Sequence, residues 1–348
     1  MGIKYSEKYG KSSIVATING EKKNFTIGIR ADMDALPIAE KTNVSYKSKI
    51  KGQMHACGHD AHTAILLDTA RRINLIKQNI NCRVKLIFQP AEESSDSGAA
   101  LMVKNGLMDD IDCIIALHCD PKYSCGKIGL LSGAQNAIST GFLLDFYGKS
   151  VHADLQEKGI DAIAMAVKAY SAIEIMIAKE ISAKSPVIFN VGAFNGGKAP
   201  NIICDHSRLN CTVRAWDEDT AEYITERIKK IVRSVAKESG GKAAYTQNKY
   251  YPILCNNDTV LEGLRECAKM VVGPDNIITH QRSLGGEDFA YMVQKKPGAM
   301  FRLGIKNEEL NCVYALHEDK FNIDERALSI GTEMFVKFVI NYMDGIEF

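Results

Sequence analysis

The segment MHACGHDAHTA holds the densest group of side chains that could bind a metal or take part in catalysis. It carries His55, Cys57, His59, Asp60 and His62. Thiolate, imidazole and carboxylate groups together form a ligand set suited to zinc or another late divalent metal, and manganese is also compatible with it. The segment therefore favours a metal centre that includes Cys57 and His59, with the other polar residues around it or at a helix start.

Two other interpretations of this segment remain open. The histidines could be surface groups at a helix N-terminus, with Asp60 as its cap. Alternatively, Cys57 could be a nucleophile activated by His59. This last interpretation gives no role to the acidic residues found at the ends of the predicted strands.

Acidic residues and a histidine follow three short apolar runs. FTIGIR leads into Asp32 and Asp34, VKLIF into Glu92 and Glu93, and CIIAL into His118. In open α/β sheets, ligands bind outside the carboxyl ends of the strands. If the chain is extended at Glu92–Glu93, the two side chains point to opposite sides. One carboxylate could then hold a metal while its neighbour takes a proton from the attacking water.

The elements that must position these residues alternate between strands and helices. The runs over 25–30, 84–88 and 113–117 are nearly continuous in apolar residues, and AILLDTARRINLI carries helical spacing over about 62–77. This pattern is typical of an α/β domain with a mostly parallel sheet. Between about 140 and 250 the order becomes strand, helix, strand, strand, helix, strand, which predicts a ferredoxin-like α+β unit.

The predicted organisation is an α/β domain interrupted by a smaller domain. We assign residues 1–137 to the first part of the larger domain, 138–250 to the inserted α+β domain, and 251–348 to the return of the larger one. A closing helix is expected through Met334–Met343.

The composition restricts the classes of partner. The 348 residues include 43 basic and 42 acidic side chains, and the formal charge is +1, so nothing suggests nucleic acid or an anionic membrane as a partner. No apolar run approaches the roughly 20 residues that a bilayer requires, and the polar start lacks a signal-peptide core, so we expect a cytoplasmic protein. The ten cysteines show no CxxC spacing, which argues against zinc knuckles and thioredoxin-like motifs.

Six motifs occur in a fixed order along nearly the whole chain. ADMDALP, HACGHDAH, FQPAEE, LHCDP, GGEDFA and LHEDKFNIDE together resemble the aminoacylase, hippurate hydrolase and indoleacetyl-amino-acid hydrolase family. This is the N-acyl-amino-acid amidohydrolase branch of the two-metal metallopeptidases. The resemblance implies a metallopeptidase-like catalytic domain, an inserted ferredoxin-like lid that often carries homodimer contacts, and hydrolysis of N-acyl-amino acids or small dipeptide-like amides.

The resemblance also implies roles for individual residues. It implies two divalent metal ions, zinc or manganese with cobalt and nickel as alternatives, held by Cys57, His59, Glu93, His118 and His317. Glu92 resembles the general base, and Asp34 resembles the acid that orients a ligand from outside the centre. The acids of GGEDFA receive no firm role, and Asp288 could cap the helix that follows.

Three residues of the lid resemble groups that contact substrate. His152 resembles the family histidine that reaches the scissile carbonyl oxygen, often from the partner subunit. Asn201 and Arg214 resemble residues that bind the substrate's carboxylate or carbonyl oxygens, and an arginine fork suits a carboxylate well.

The chain departs from the family pattern in three places, one of which is the segment ADLQEKG after His152, without the proline often seen there. It starts without a few dozen residues that members usually carry upstream, and Cys204 stands where the lid motif has proline. These departures leave an alternative open, namely a catalytically weakened metal- or metabolite-binding homologue.

Overall fold

The computed structural model describes residues 1–22, 24–94 and 96–341. The strands are β1 (Lys4–Ser6), β2 (Ile14–Asn19), β3 (Thr26–Asp32), β4 (Arg83–Gln89), β5 (Cys113–Ser124), β6 (Ile128–Leu130), β7 (Gly133–Asn136), β8 (Ile138–Tyr147), β9 (Ile188–Gly196), β10 (His206–Ala215), β11 (Lys242–Tyr251), β12 (Leu254–Asn256), β13 (Ile277–Thr279) and β14 (Gly298–Lys306). The helices are α1 (His59–Ile76), α2 (Gly98–Lys104), α3 (Ala162–Glu180), α4 (Glu218–Glu238), α5 (Asp258–Val271), α6 (Ala290–Val293) and α7 (Arg326–Asn341).

The last helix, α7, begins earlier than the predicted closing helix, and residues 342 and 343 of that prediction lie outside the described residues. Among the described helices, none is long and apolar enough to cross a membrane.

By internal contacts the described residues form two compact units. The first comprises Met1–Gln135, Leu254–Arg282 and the described part of Asp288–Phe348. Its main sheet has eight strands in the order β1-β2-β4-β3-β5-β14-β6-β13. The central strands β4, β3, β5 and β14 run parallel, whereas β1 and β2 add antiparallel strands at one edge. The predicted α/β class with a mostly parallel sheet is confirmed.

Helices cover both faces of this sheet because its central strands are apolar on both sides. Successive residues of β5 point to opposite faces of the sheet. On one face Ile115 packs in the core shared with α1, α5 and α7, and on the other Ile114 packs with residues of α2 and α6. Strand β14, which the sequence analysis missed, is buried along nearly its whole length. A Cβ on Gly304 of this strand would lie 2.2 Å from the Ser124 carbonyl oxygen, so the close approach to β5 requires glycine.

The second unit comprises Asn136–Ile253 and Ser283–Glu287. Its four strands are antiparallel in the order β11-β8-β10-β9, and α3 and α4 pack on the sheet. Alternate residues of β8, such as Phe142 and Phe146, face the helices and are fully buried. The predicted ferredoxin-like order is confirmed, and β9 is an edge strand of this sheet.

Candidate metal centre

A tight turn at Gly58 separates the first two candidate ligands. Gly58 has a φ of 84°, and a Cβ there would lie 3.2 Å from the Cys119 Cβ. Glycine allows this left-handed turn, so Cys57 precedes α1 and His59 begins it, three residues earlier than predicted. His59 and His62 are each 1% exposed, which excludes the interpretation that they are surface groups at a helix start.

The candidate ligand His118 lies within β5 and not after its end. Strand β5 continues to Ser124, and His118 pairs with Arg302 of β14. The Nδ1 of His118 lies 2.7 Å from the Cys119 carbonyl oxygen, which can only accept, so Nδ1 carries the proton. The Nε2 therefore carries a lone pair, and this atom lies 3.5 Å from the Cys57 Sγ, whose thiol can donate to it.

His59 is held in a similar way and is surrounded by negative charge. Its Nδ1 donates to the Asp34 carbonyl oxygen at 3.0 Å, while its buried Nε2 has no hydrogen-bond partner among the described residues. The Oδ2 of Asp32 lies 3.6 Å from this Nε2. Burial alone would lower the pKa of His59, but Asp32 and Asp34 raise it to about 9. The surroundings of Nε2 therefore stabilise positive charge.

Asp34 organises the segment that carries the two glutamates. Its Oδ1 accepts a hydrogen bond from the Glu92 N–H at 3.1 Å, and its Oδ2 accepts one from the Glu93 N–H at 2.9 Å. Successive N–H groups of an extended chain point to opposite sides, so the expectation of an extended Glu92–Glu93 segment is wrong. Instead, Ala91, with a φ of 58°, turns the chain after β4, and both amides face one carboxylate.

His317 reaches the same place from a distant loop. Its backbone is left-handed, with a φ of 68°, and its N–H donates to the Ala56 carbonyl oxygen at 2.8 Å. Its Nε2 lies 3.0 Å from the Glu93 Oε1. A left-handed residue other than glycine stores backbone strain, and such residues cluster at functional sites.

The ligand atoms gather into two groups that share one residue. Those of Cys57, His59 and His118 lie within 4.8 Å of one another, and so do those of Cys57, Glu93 and His317. Glu92 belongs to a further group of the same size with His59 and Glu93. The orphaned His59 Nε2 and this mixture of sulfur, nitrogen and oxygen donors fit two divalent cations that share the Cys57 sulfur.

The surroundings of Cys57 suit a metal ligand better than a nucleophile. Burial, followed by the charges of Glu93, Asp32 and Glu92, raises the pKa of the Cys57 thiol well above its usual range. Nucleophilic cysteines have a lowered pKa, because the thiolate is the reactive form. A cation bound at the thiol deprotonates it despite the neighbouring carboxylates.

Two buried residues, His62 and Asp32, complete the surroundings of the centre, and His62 lies where the sequence placed it, beside the ligands at the start of α1. His62 donates from Nδ1 to the Asp32 Oδ1 at 2.5 Å and accepts at Nε2 from the Cys119 N–H at 2.9 Å. Both ring nitrogens are used, so His62 has no lone pair left for a metal, and burial lowers its pKa. The position of Asp32 near a strand end was the available sequence signal.

The three lid candidates lie in the second unit. His152 is exposed and its Nδ1 lies 2.6 Å from the Asp154 Oδ1. The segment of Asn201 runs beside it, since the Ala153 N–H donates to the Asn201 carbonyl oxygen at 3.0 Å. Arg214 lies on β10, paired with Ser139, and no described carboxylate lies within ion-pair distance of it. Burial lowers the pKa of Arg214.

Comparisons with known proteins agree with this geometry. The model of the peptidase family M20/M25/M40 matches residues 28–341. Thermostable carboxypeptidase 2 of Saccharolobus solfataricus is 34% identical, over 95% of this chain and 84% of that protein. Hippurate hydrolase of Campylobacter jejuni is 33% identical, over 98% of this chain and 88% of that protein. The Bacillus subtilis YXEP protein, described as a dinuclear metal-binding peptidase from the M20 family, superposes with a TM-score of 0.83 at 28% identity, over 98% of this chain and 88% of its own.

Proposed function

The chain belongs to the peptidase family M20/M25/M40, and we propose that it hydrolyses the amide bond of N-acyl-amino acids or small dipeptide-like substrates. The products are a carboxylic acid and a free amino acid. The observation that carries the proposal is the position of Cys57, which belongs to both groups of three ligand residues. The hippurate hydrolase and carboxypeptidase relatives support this class of substrate.

The chain would hold two divalent cations. His59 and His118 complete one set of ligands, Glu93 and His317 complete the other, and the Cys57 sulfur is common to both. When bound, the cations lower the pKa of water and polarise the amide carbonyl. Asp34 fixes the ring of His59 through its carbonyl oxygen and the backbone of Glu93 through its carboxylate. A displaced Asp34 would therefore disturb both sets.

Glu92 is the residue that moves the proton. Its side chain is 7% exposed, and its carboxylate lies within 4.8 Å of the ligand atoms of His59 and Glu93. A carboxylate held there accepts a proton from the attacking water and returns it to the leaving amine. Because the Asp34 Oδ1 fixes the Glu92 N–H, the backbone of the base is held in place before substrate binds.

The lid residues would bind the substrate. Asp154 accepts from the His152 Nδ1 and so orients the ring, which leaves the Nε2 side available for the substrate's carbonyl oxygen. Arg214, which lacks an acidic partner within the described lid, suits the carboxylate of the substrate's amino acid. Asn201 can donate its side-chain amide to the same carboxylate or to the carbonyl oxygen.

A substrate panel tests the proposed reaction. Purified protein is incubated with N-acetyl, N-benzoyl and indoleacetyl amino acids, with zinc or manganese added, and release of the free amino acid is followed. We expect turnover of part of the panel and its loss after treatment with a chelator. A folded protein that binds metal but turns over no member of the panel would support the weakened homologue instead. Activity that survives the chelator would support a Cys57 thiol amidase.

The same substrate panel tests which metal ion the protein uses. The soft Cys57 sulfur and the three imidazoles of His59, His118 and His317 favour zinc, whereas the Glu93 carboxylate makes manganese acceptable, so we propose these two ions. Metal-free protein reloaded with zinc, manganese, cobalt or nickel should regain turnover to different degrees. A preference for magnesium or calcium would contradict this ligand set.

We also propose that a second copy of the chain pairs with the lid. Strand β9 is an edge strand, and Ile188 and Phe194 on it are 42% and 46% exposed. An unpaired apolar edge of this kind is a template for another strand, and its own copy can pair with it antiparallel. Light scattering should report a dimer, and Phe194→Lys should shift it to a monomer. A parent protein that is monomeric at micromolar concentration would contradict the pairing.

A further inference from the structure

A fully buried arginine links two buried carboxylates beneath the candidate centre. Arg30 of β3 is 1% exposed, and its guanidinium donates in three directions: to the Asp32 Oδ2 at 2.8 Å, to the Asp288 Oδ1 at 2.9 Å and to the Gln89 Oε1 at 2.8 Å. Asp32 and Asp288 are both 0% exposed. Only a planar fork with several donors can hold these three acceptors at once.

Asp288 anchors the far end of this arrangement. Its carboxylate accepts from the Gln89 side chain at 2.8 Å, the Ser97 hydroxyl at 2.8 Å and the Ala99 N–H at 3.1 Å. The expectation that Asp288 caps the helix after it is wrong: α6 has Phe289 at its N-cap without a side-chain cap, and the Asp288 carboxylate binds the first turn of α2. With so many donors around it, Asp288 is fixed and in turn fixes one branch of Arg30.

Asp32 stands between Arg30 and the centre. Its Oδ2 accepts from Arg30, its Oδ1 accepts from His62, and Oδ2 lies 3.6 Å from the His59 Nε2. A carboxylate this close to a ligand nitrogen would be a good oxygen ligand for a divalent cation. The hydrogen bonds from Arg30 and His62 engage both oxygens and fix the orientation of the carboxylate.

We propose that Arg30 and Asp288 are positioning residues that keep the Asp32 carboxylate out of the metal-ligand set. This inference rests on the proposed two-metal function. The Arg30 guanidinium holds the Asp32 carboxylate as a charged neighbour of His59. It thereby prevents this carboxylate from turning towards the cation. The centre thereby keeps the sulfur and nitrogen donors of Cys57, His59 and His118 on that side without an additional hard oxygen.

The metal preference should therefore change when the hydrogen bonds of the Arg30 guanidinium to Asp32 and Asp288 are lost. Released from Arg30, Asp32 can rotate towards the cation and add an oxygen ligand. A hard oxygen favours manganese relative to zinc, and a higher coordination number weakens the visible absorption of bound cobalt. Changes around the ligands of a metal site typically alter its affinity by about 10- to 100-fold.

The test uses Arg30→Lys, which keeps the buried positive charge but lacks the planar fork that spans the two carboxylates and Gln89. Zinc and manganese affinities and the visible spectrum of the cobalt-loaded protein are compared with those of the parent, and folding is checked by thermal melting. Asp288→Asn breaks the same arrangement from its other end and carries the test if Arg30→Lys does not melt cooperatively. Lys85→Arg is the matched control, because Lys85 is a buried cation on the neighbouring strand β4.

The expected result is a shift of the zinc-to-manganese affinity ratio by about tenfold or more towards manganese. The cobalt absorption should also weaken, whereas Lys85→Arg keeps the parent values. A folded variant with parent affinities and the parent cobalt spectrum would overturn the proposal while leaving the proposed function intact. A parent protein that binds no metal would instead overturn the proposed function.

Discussion

The Nε2 of His317 lies 3.0 Å from the Oε1 of Glu93, although the two residues belong to distant parts of the chain. The contact depends on an unusual backbone, because His317 has a φ of 68° and donates its N–H to the Ala56 carbonyl oxygen. Ala56 precedes Cys57, so one hydrogen bond ties the histidine loop to the shared ligand. Strain in the loop is therefore associated with assembly of the centre.

Replacing His317 with glycine should separate metal binding from stability. Glycine adopts the left-handed backbone without strain, so the melting temperature of the metal-free His317→Gly protein should equal or exceed that of the parent. Bound metal should fall from two ions to one per chain, measured by elemental analysis. Ser12→Gly, at another left-handed residue with a φ of 65°, should keep both ions. Retention of both ions by His317→Gly would remove this histidine from the centre.

Glu92→Gln should abolish turnover without removing metal. The amide keeps the shape of the side chain but cannot accept the proton of the attacking water, so kcat should fall by about 10²- to 10⁴-fold. Elemental analysis should still find two ions per chain. Glu93→Gln is the contrasting variant, since it should lose metal together with activity. If Glu92→Gln turned over substrate at the parent rate, the assignment of the base would be wrong.

The sequence predicted those features that depend on residues close together in the chain. Cys57 and His59 lie in one dense motif, and Glu93 and His118 follow apolar runs, so it could be expected from the sequence that they gather, although His118 lies within β5 and not beyond its end. The helix and strand order of the lid was also readable, because β8 is a short run dominated by apolar residues followed by the long helical pattern of α3.

Features that depend on distant pairing could not be predicted in this way. The left-handed backbone of His317 and the turn at Ala91 have no signature in their residue types, since neither is glycine. The bond between Arg30 and Asp288 joins a strand to a loop far along the chain, and nothing local indicates it. Strand β14 was missed because glycines and Arg302 interrupt its apolar run, although packing against β5 buries it.

Arg214→Lys should weaken substrate binding. Lysine keeps the charge but loses the two-pronged hydrogen bond to a carboxylate, so KM should rise by about 10- to 100-fold with little change in kcat. Replacing the substrate's carboxylate with a carboxamide should raise the KM of the parent by a similar factor. The same replacement should raise the KM of Arg214→Lys only slightly. Arg208→Lys is the control on the same strand, because Arg208 is already paired with Asp145. Equal KM values for parent and Arg214→Lys would exclude this contact.

Asp145 should make the stability of the lid depend on pH. Burial opposes its charge, but hydrogen bonds from Arg208 and His206 lower the pKa of this carboxyl below its usual value. A folded-state pKa that is lowered stabilises the protein above the unfolded value of about 3.9, and this stabilisation is lost as the pH falls through the folded value.

The variant Asp145→Asn tests this dependence. Its free energy of unfolding in urea should be lower than the parent's by about 1–2 kcal/mol at about pH 7, because half-exposed Arg208 is partly screened by water. The difference should shrink below about pH 4 as the parent's carboxyl becomes protonated. A difference that stays constant down to about pH 3 would show that the charge of Asp145 contributes nothing.

The number of metal ions bound by the parent, by Cys57→Ala and by Cys119→Ala tests the two-metal centre most directly. Cys119 is also buried and lies beside the Gly58 turn, but it belongs to neither of the groups that share Cys57. Elemental analysis after dialysis should find two ions per chain in the parent and in Cys119→Ala, and fewer than one in Cys57→Ala, since both sites lose a ligand. Two ions retained by folded Cys57→Ala, or none bound by the parent, would contradict the shared thiolate.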